Sequence, residues 1–312
     1  DILIHQLFMP LEHNPPTTHG GQDMDTMTLS IRKLTPVLGA EITGVDLAHL
    51  DDATFDEIED AFEAYSVLVF PGQNLDDDSQ IAFSRRFGEL EKTQGHIANN
   101  FTVKHVSEIS NLDPDGKLMA ADDPRLLFRI GQRRWHSDSS FKRVPAKASL
   151  LHARKLPPDG GDTQFASLRA AYDALPAARK RELEGKVAIH HYAYSRRNDG
   201  FKLTNEEEDR RFPPVPQAII RANPVNGRKA LYVGSHASHI RGVPEDEGRA
   251  LLQELLEFAT QEKFTYLHHW KVGDLVMYDN RAALHRARPY QITEHARILH
   301  RTTVAGEGPT AE

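Results

Sequence analysis

The sequence predicts a mainly β protein with flanking helices, built as a sandwich or open barrel rather than a doubly wound sheet. Three observations carry that expectation. Short runs of apolar and β-branched residues recur along the chain, clusters of Gly, Pro, Asp and Asn separate them, and only a few segments show helical periodicity. No glycine-rich phosphate loop, internal repeat or low-complexity tract competes with it.

Residues 1–27, which start at Asp1 and contain "MPLEHNPPTTHGGQDMDTM", are expected to be a disordered leader, an over-extended start or an expression remnant. A single domain over residues 28–306 follows, then a flexible tail over residues 307–312; one large β domain with helical decoration can absorb this length. "LSIRKLTPVLGAEITGVDL" reads as short strands broken by Gly39 and Gly44. "DDATFDEIEDAFEAY" places Phe55, Ile58, Phe62 and Tyr65 on one helical face, with Asp51 or Asp52 as the cap. The buried strand "SVLVF" comes next, then the acidic-capped helix "DDDSQIAFSRRFG", ended by Gly88.

Strand-like runs then dominate: "VKHVSEISNL", "RRWHSDSSF", "ASLLHARKL", "DTQFAS", "VAIHHYAYS", "QAIIRANPV", "KALYVG", "FTYLHHW", "DLVMYDN" and "ARILHRTTVAG". "DPDG", "PPDGG", "VNGR" and "KVGD" are turn signals between them. Two helices interrupt the series, around "SLRAAYDALPAARKRELEG" and "PEDEGRALLQELLEFATQ", the second burying Leu251, Leu252, Leu255, Leu256 and Ala259.

The formal net charge is -7 with both signs interspersed, so nothing resembles a phosphate-backbone footprint, and nucleic acid is not an expected partner. The chain has no cysteine, which excludes disulfides, thiolate metal sites and a cysteine nucleophile and leaves metal chemistry to His, Asp and Glu. No apolar run approaches the length of a membrane span and no signal-peptide pattern opens the chain, so a cytoplasmic location is expected.

Against that background "RRWHSDSSF" stands out. On a strand, side chains alternate between faces, so His136 and Asp138 would point the same way and Ser137 the other. A bare HxD is weak in a chain with 17 histidines, and the second instance, His49 with Asp51, sits where a strand gives way to a helix, so Asp51 is better explained as a cap. A third candidate ligand, His285, follows the apolar strand and polar turn of "DLVMYDNRAALHRARPY". Two histidines and one carboxylate form the facial set of non-haem Fe(II) oxygenases; the plain alternative is a histidine hydrogen-bonded in a polar turn. In "HARILHRTTVAG", Arg297, Leu299 and Arg301 share a strand face, so two guanidiniums would project together. Inward arginines imply anionic partners, here two acidic small molecules, whereas exposed or salt-bridged arginines are the alternative.

With these residues in place, the sequence resembles the Fe(II)- and 2-oxoglutarate-dependent dioxygenases of the taurine dioxygenase / 2,4-dichlorophenoxyacetate dioxygenase (TauD/TfdA) family. The likeness runs through "GAEITGVDL", "VLVFPGQNL", "FSRRFGEL", "WHSDSSF", "GGDTQFAS", "RAAYDAL", "YDNRAALHRA" and "ARILHRTTVAG". It implies a double-stranded β-helix (jelly-roll) core with His136, Asp138 and His285 as iron ligands. It also implies Thr163 and Arg297 on the distal carboxylate of 2-oxoglutarate, and Arg301 facing the acidic group of the substrate. Trp135 and Phe141 are expected to be packing residues. His236 is read as a structural histidine, and among His190, His191, His268 and His269 about half should face packing or solvent. Where taurine-directed members carry a sulfonate-contacting histidine, this chain has Thr93 in line, with His96 further on, and an Asn common before the first iron ligand is Gln132. These departures and "WHSDSSF" with "RAAYDAL" point to the aryloxyalkanoate-degrading branch.

The implied reaction uses O2 and 2-oxoglutarate to hydroxylate an aryloxyacetate such as 2,4-dichlorophenoxyacetate at its ether carbon, giving a phenol, glyoxylate, succinate and CO2. The rivals are the same chemistry on an alkyl sulfonate or sulfate ester, and a Zn-dependent hydrolase or metal-binding β-barrel protein on the same three ligands. The family further implies a homo-oligomer, dimer to tetramer. "DPDGKLMAADDPRLLFRIG", long and poorly periodic, is expected to be a mobile lid.

Overall fold

The computed structural model describes residues 28–92, 102–103, 105–198 and 210–312. Its strands, in chain order, are β1 (Ser30–Lys33), β2 (Ala40–Thr43), β3 (Val67–Phe70), β4 (Thr102–Val103), β5 (Val106–Ser110), β6 (Ala148–Lys155), β7 (Thr163–Ser167) and β8 (Val187–His190). They continue with β9 (Val215–Ala218), β10 (Ile220–Ala222), β11 (Lys229–Leu231), β12 (Ala237–Ile240), β13 (Thr265–His268), β14 (Leu275–Asp279), β15 (Ala283–Ala287) and β16 (Ile298–Val304). The helices are α1 (Asp52–Tyr65), α2 (Asp77–Arg85), α3 (Pro124–Gly131), α4 (Leu168–Ala174), α5 (Ala177–Leu183), α6 (Tyr192–Asn198) and α7 (Glu245–Ala259).

An eight-stranded sheet in the order β1-β2-β3-β14-β6-β16-β5-β4 is antiparallel except where β2 meets β3. A three-stranded sheet, β13-β7-β15, lies over one of its faces. The period-two alternation of the central strands shows why. In β14, Leu275 and Met277 join Phe55, Ile58 and Phe62 of α1 and Phe83 of α2 on the outer face, while Val276 and Tyr278 meet Phe165, Ala283 and Leu299 between the sheets. Both faces are covered, so the strand is apolar from Leu275 to Met277 and only its end carries polar groups, on the buried Tyr278 and Asp279. Each fully buried apolar side chain contributes about 1.5–3 kcal/mol. Two sheets face to face with helices outside make the expected β core of jelly-roll type. No helix of the described residues is long and apolar enough to cross a membrane.

Helix ends follow their chemistry. Asp51 caps α1 by accepting from the Thr54 amide at 2.7 Å, so the cap reading of Asp51 holds, and Asp76 caps α2 through Ser79 at 2.8 Å. Several elements differ from expectation. "RRWHSDSSF" is not a strand: only His136 makes a bridge, to His285, and the chain then turns through Ser139 at φ 56°. The expected helix at "SLRAAYDALPAARKRELEG" is two, because Leu175 before Pro176 is forced into extended backbone. "VAIHHYAYS" leaves the sheet at His190 and becomes α6. The segment expected to be a lid ends in α3, started by an Asp123 cap and Pro124 in its first turn. The segment Ala237–Ile240, not anticipated as a strand, pairs with β8. In the expected tail, Thr310 hydrogen-bonds Gln217 and the Ala218 amide, and Arg241 reaches the Glu312 carbonyl.

Alternation also sorts the paired histidines: His190 and His268 are buried, His191 half-buried and His269 exposed. His190 stacks on Tyr232 with neither ring nitrogen hydrogen-bonded, and burial pushes its pKa down to about 3. The folded protein keeps it neutral, while the unfolded chain binds a proton below about pH 6.5. Stability present above that pH is therefore lost progressively as pH falls towards the folded value, a loss of about 2 kcal/mol at roughly pH 5. His190→Leu should flatten the decline of Tm between neutral and mildly acidic pH; a decline as steep as wild type would remove His190 as its source.

Candidate metal and anion site

Three separate pieces of chain bring the metal-binding candidates together. His285 projects from β15 on the face that also carries Ala287 and, across the ladder on β7, Phe165 and Thr163. His136 pairs with His285 along the outer edge of β15, the two residues exchanging backbone hydrogen bonds at 3.1 and 2.9 Å. The turn after it is pinned to the β14–β15 connection. Ser137 Oγ donates to the Ala283 carbonyl at 3.0 Å, and the Asp138 amide donates to Asn280 Oδ1 at 3.0 Å. One ligand atom from each of His136, Asp138 and His285 lies within 4.8 Å of the others. The set anticipated from a strand is thus assembled by a bridge and a turn.

The protonation states suit a cation. His136 Nδ1 donates to the Arg134 carbonyl at 2.8 Å, which leaves Nε2 with its lone pair. Burial lowers the pKa of His136 and pushes that of His285 down to about 3, so both imidazoles are neutral at pH 7, the form that ligates a metal. His285 Nδ1 is buried without a hydrogen-bond partner, while its Nε2 stands 3.9 Å from Asp138 Oδ2. Burial alone would raise the pKa of Asp138, but the nearby Arg301 guanidinium, the histidines and Ser149 hold it well below the usual carboxylate range. Its Oδ2 accepts from Ser149 Oγ at 2.7 Å and Tyr278 Oη at 2.8 Å, and its Oδ1 from Arg301 Nη1 at 2.8 Å. Two neutral imidazoles and one carboxylate anion fit a divalent ion such as Fe(II).

His136 and His285 face a cleft between the two sheets. Thr163, Arg297 and Arg301 all line it, with Ile109, Leu151 and Leu299 as its apolar wall. Arg297 is buried and aimed by two contacts, its amide on Asn111 Oδ1 at 2.8 Å and its Nε on the Gly161 carbonyl at 2.9 Å. Burial pushes its pKa down to about 10, so it remains charged at pH 7. Gly161 must be glycine: its φ is +74°, and a Cβ would lie 3.2 Å from Arg297 Cδ and Nε. Trp270 Nε1 donates to Thr163 Oγ1 at 3.0 Å. An indole can only donate, so the Thr163 hydroxyl accepts there and keeps its own proton for an anion in the cleft.

Ser149, Asn280 and Tyr278, which orient Asp138, and Trp270, which orients Thr163, carry no sequence signal of these roles. Asn280, fully buried, holds the Asp138 backbone and donates from Nδ2 to Ser149 Oγ at 2.9 Å, so one amide fixes both the main chain and, through Ser149, the carboxylate. Asn280→Ala should raise the dissociation constant for Mn(II) by about 10–100-fold. An unchanged constant by calorimetric titration would contradict this positioning role.

Trp135 and Phe141 pack as expected: Trp135 lies under the Arg286 guanidinium at 4.4 Å, and Phe141 sits against Tyr192 at 4.8 Å. His236 is buried beside Phe141, with its ring 6.4 Å from that of His136. Gln132 lines the cleft. Thr93 and His96 lie outside the described residues.

Comparison with known proteins extends these observations. The family model described as "Taurine catabolism dioxygenase TauD, TfdA family" matches residues 30–303. The chain is 44% identical over 284 residues to the alpha-ketoglutarate-dependent 2,4-dichlorophenoxyacetate dioxygenase of Burkholderia sp. (strain RASC), covering 89% of this chain and 95% of that one. It is 39% identical to the (S)-phenoxypropionate/alpha-ketoglutarate-dioxygenase of Sphingobium herbicidovorans, over 90% of this chain and 96% of the relative. The crystal structure of AAD-2 in complex with Mn(II) and N-oxalylglycine superposes with a TM-score of 0.85 at 44% identity, over 92% of this chain and 100% of that one.

Proposed function

Because this chain belongs to the TauD/TfdA dioxygenase family, we propose that it is an Fe(II)- and 2-oxoglutarate-dependent dioxygenase acting on a small carboxylic acid, an aryloxyacetate such as 2,4-dichlorophenoxyacetate. One observation carries the reading: two neutral imidazoles, His136 and His285, grouped with the ionised Asp138, share one cleft with a buried Arg297 and a Thr163 hydroxyl free to donate.

Fe(II), when bound at the triad, supplies the redox chemistry that couples O2 to decarboxylation of 2-oxoglutarate and to hydroxylation of the substrate. The side chains bind and orient. Arg297 and Thr163 grip the distal carboxylate of 2-oxoglutarate, the planar fork of the arginine matching a carboxylate. Arg301, on the same strand face as Arg297, provides a second guanidinium for the substrate's acid group. Ser149, Tyr278 and Asn280 hold Asp138 still, and Ile109, Leu151 and Leu299 keep that side of the cleft apolar. One oxygen atom of O2 goes to succinate and the other to the ether carbon of the substrate. The resulting hemiacetal collapses to a phenol and glyoxylate, so no protein nucleophile is needed.

Parallel incubations with 2,4-dichlorophenoxyacetate and with taurine test the assignment. Phenol release from the first, with no sulfite from the second, is the expected result. Sulfite without phenol would overturn the aryloxyacetate reading.

A further inference from the structure

A second compartment adjoins the cleft and shares Ile109, Gln132, Ala287 and Arg297 with it as common walls. Its remaining lining includes Arg129, Arg133, Arg288 and Tyr290, and no acidic side chain lines it among the described residues. Four guanidiniums around one space reverse the local sign in a chain whose net charge is -7. Arg129 is buried and braced by the Ser110 and Glu108 carbonyls at 3.0 and 3.1 Å. Arg133 is half-buried and Arg288 exposed, so the compartment runs from the surface inward to Arg297. Among the described residues neither Arg133 nor Arg288 has an ion-pair partner, and Arg297, Arg129 and Arg133 all lie close enough to Tyr290 to act on its hydroxyl electrostatically.

Like charges lining one partly desolvated wall repel each other, and the same arrangement raises the local concentration of any small anion. Which anion follows from the walls. His136, His285 and Arg301 line only the first compartment, whereas Arg297 belongs to both, so an acid arriving by this route meets Arg297 before it meets the two histidines or Arg301.

We propose that the compartment lined by Arg129, Arg133 and Arg288 is the port through which dianionic 2-oxoglutarate is drawn from solvent and delivered to Arg297 and Thr163. This rests on the reading that the cleft uses 2-oxoglutarate. The port differs from the binding pocket itself: Arg133 and Arg288 speed arrival, while Arg297 and Thr163 hold the bound acid.

Trp270, hydrogen-bonded to Thr163, is a built-in reporter of arrival. Stopped-flow mixing of 2-oxoglutarate with anaerobic Mn(II)-loaded protein should show the association rate constant of the double variant Arg133→Gln/Arg288→Gln falling roughly tenfold, with a flatter dependence on ionic strength. Arg288→Lys in the Arg133 background should keep most of the wild-type rate, because charge rather than fork geometry steers. An association rate and salt dependence matching wild type in the double variant would overturn the port alone. So would an equal slowing of 2,4-dichlorophenoxyacetate binding. Wild-type protein that binds no 2-oxoglutarate would overturn the co-substrate reading and the port with it.

Discussion

Asp138→Ala should lose tight metal binding and turnover together, with 2-oxoglutarate consumption down by about a thousandfold or more. The carboxylate is the only anionic member of the triad, and it collects hydrogen bonds from Ser149, Tyr278 and Arg301. Alanine removes the ligand and strands those donors. Breaking a fully buried pair costs about 3–5 kcal/mol, but the Arg301 side chain is 25% exposed, so water recovers part of its solvation and about 2–3 kcal/mol of stability is the expected loss. Calorimetric Mn(II) titration and thermal unfolding of metal-free protein check the two effects separately. Wild-type metal affinity in Asp138→Ala would remove Asp138 from the ligand set.

Arg297→Leu should behave differently, raising the KM for 2-oxoglutarate by about 30–1,000-fold through the loss of a buried charged hydrogen-bond partner worth roughly 2–4 kcal/mol. Mn(II) affinity should stay close to wild type, because Arg297 contacts Gly161 and Asn111 and no triad residue. Arg297→Lys should recover only part of the loss, since an ammonium cannot reproduce the two-pronged match to a carboxylate. Steady-state kinetics with 2-oxoglutarate varied separates these cases. An unchanged KM in Arg297→Leu would place the distal carboxylate elsewhere.

Much of this site was legible in the sequence. The spacing of His136 and Asp138, and of Arg297 and Arg301, survives because local chemistry dictates it, the first pair through a short turn and the second through strand alternation. The convergence of His285 on His136 was not derivable from periodicity, since it depends on an edge pairing between segments far apart in the chain; the family resemblance supplied it. The strand reading of "RRWHSDSSF" reached the right neighbours by the wrong geometry, as Ser139 in left-handed backbone turns the chain where alternation would have continued it. Ser149, Tyr278, Asn280 and Trp270 carry no local signature for their roles. Each looks like an ordinary residue of a buried strand or its connection until the fold places it against Asp138 or Thr163. The arginine-lined compartment is likewise invisible in sequence, because Arg129 and Arg133 come from α3 or its end, and Arg288 and Arg297 from the chain on either side of the β15–β16 connection.

If this cleft couples oxidation of 2-oxoglutarate to hydroxylation of an aryloxyacetate, the two sets of products must form together. The deciding measurement is the ratio of succinate to 2,4-dichlorophenol formed by Fe(II)-loaded protein supplied with 2-oxoglutarate, 2,4-dichlorophenoxyacetate and O2. Equal amounts of the two products are expected, with both absent when O2 is excluded. Phenol that appears without succinate, or that persists without O2, would contradict that coupling.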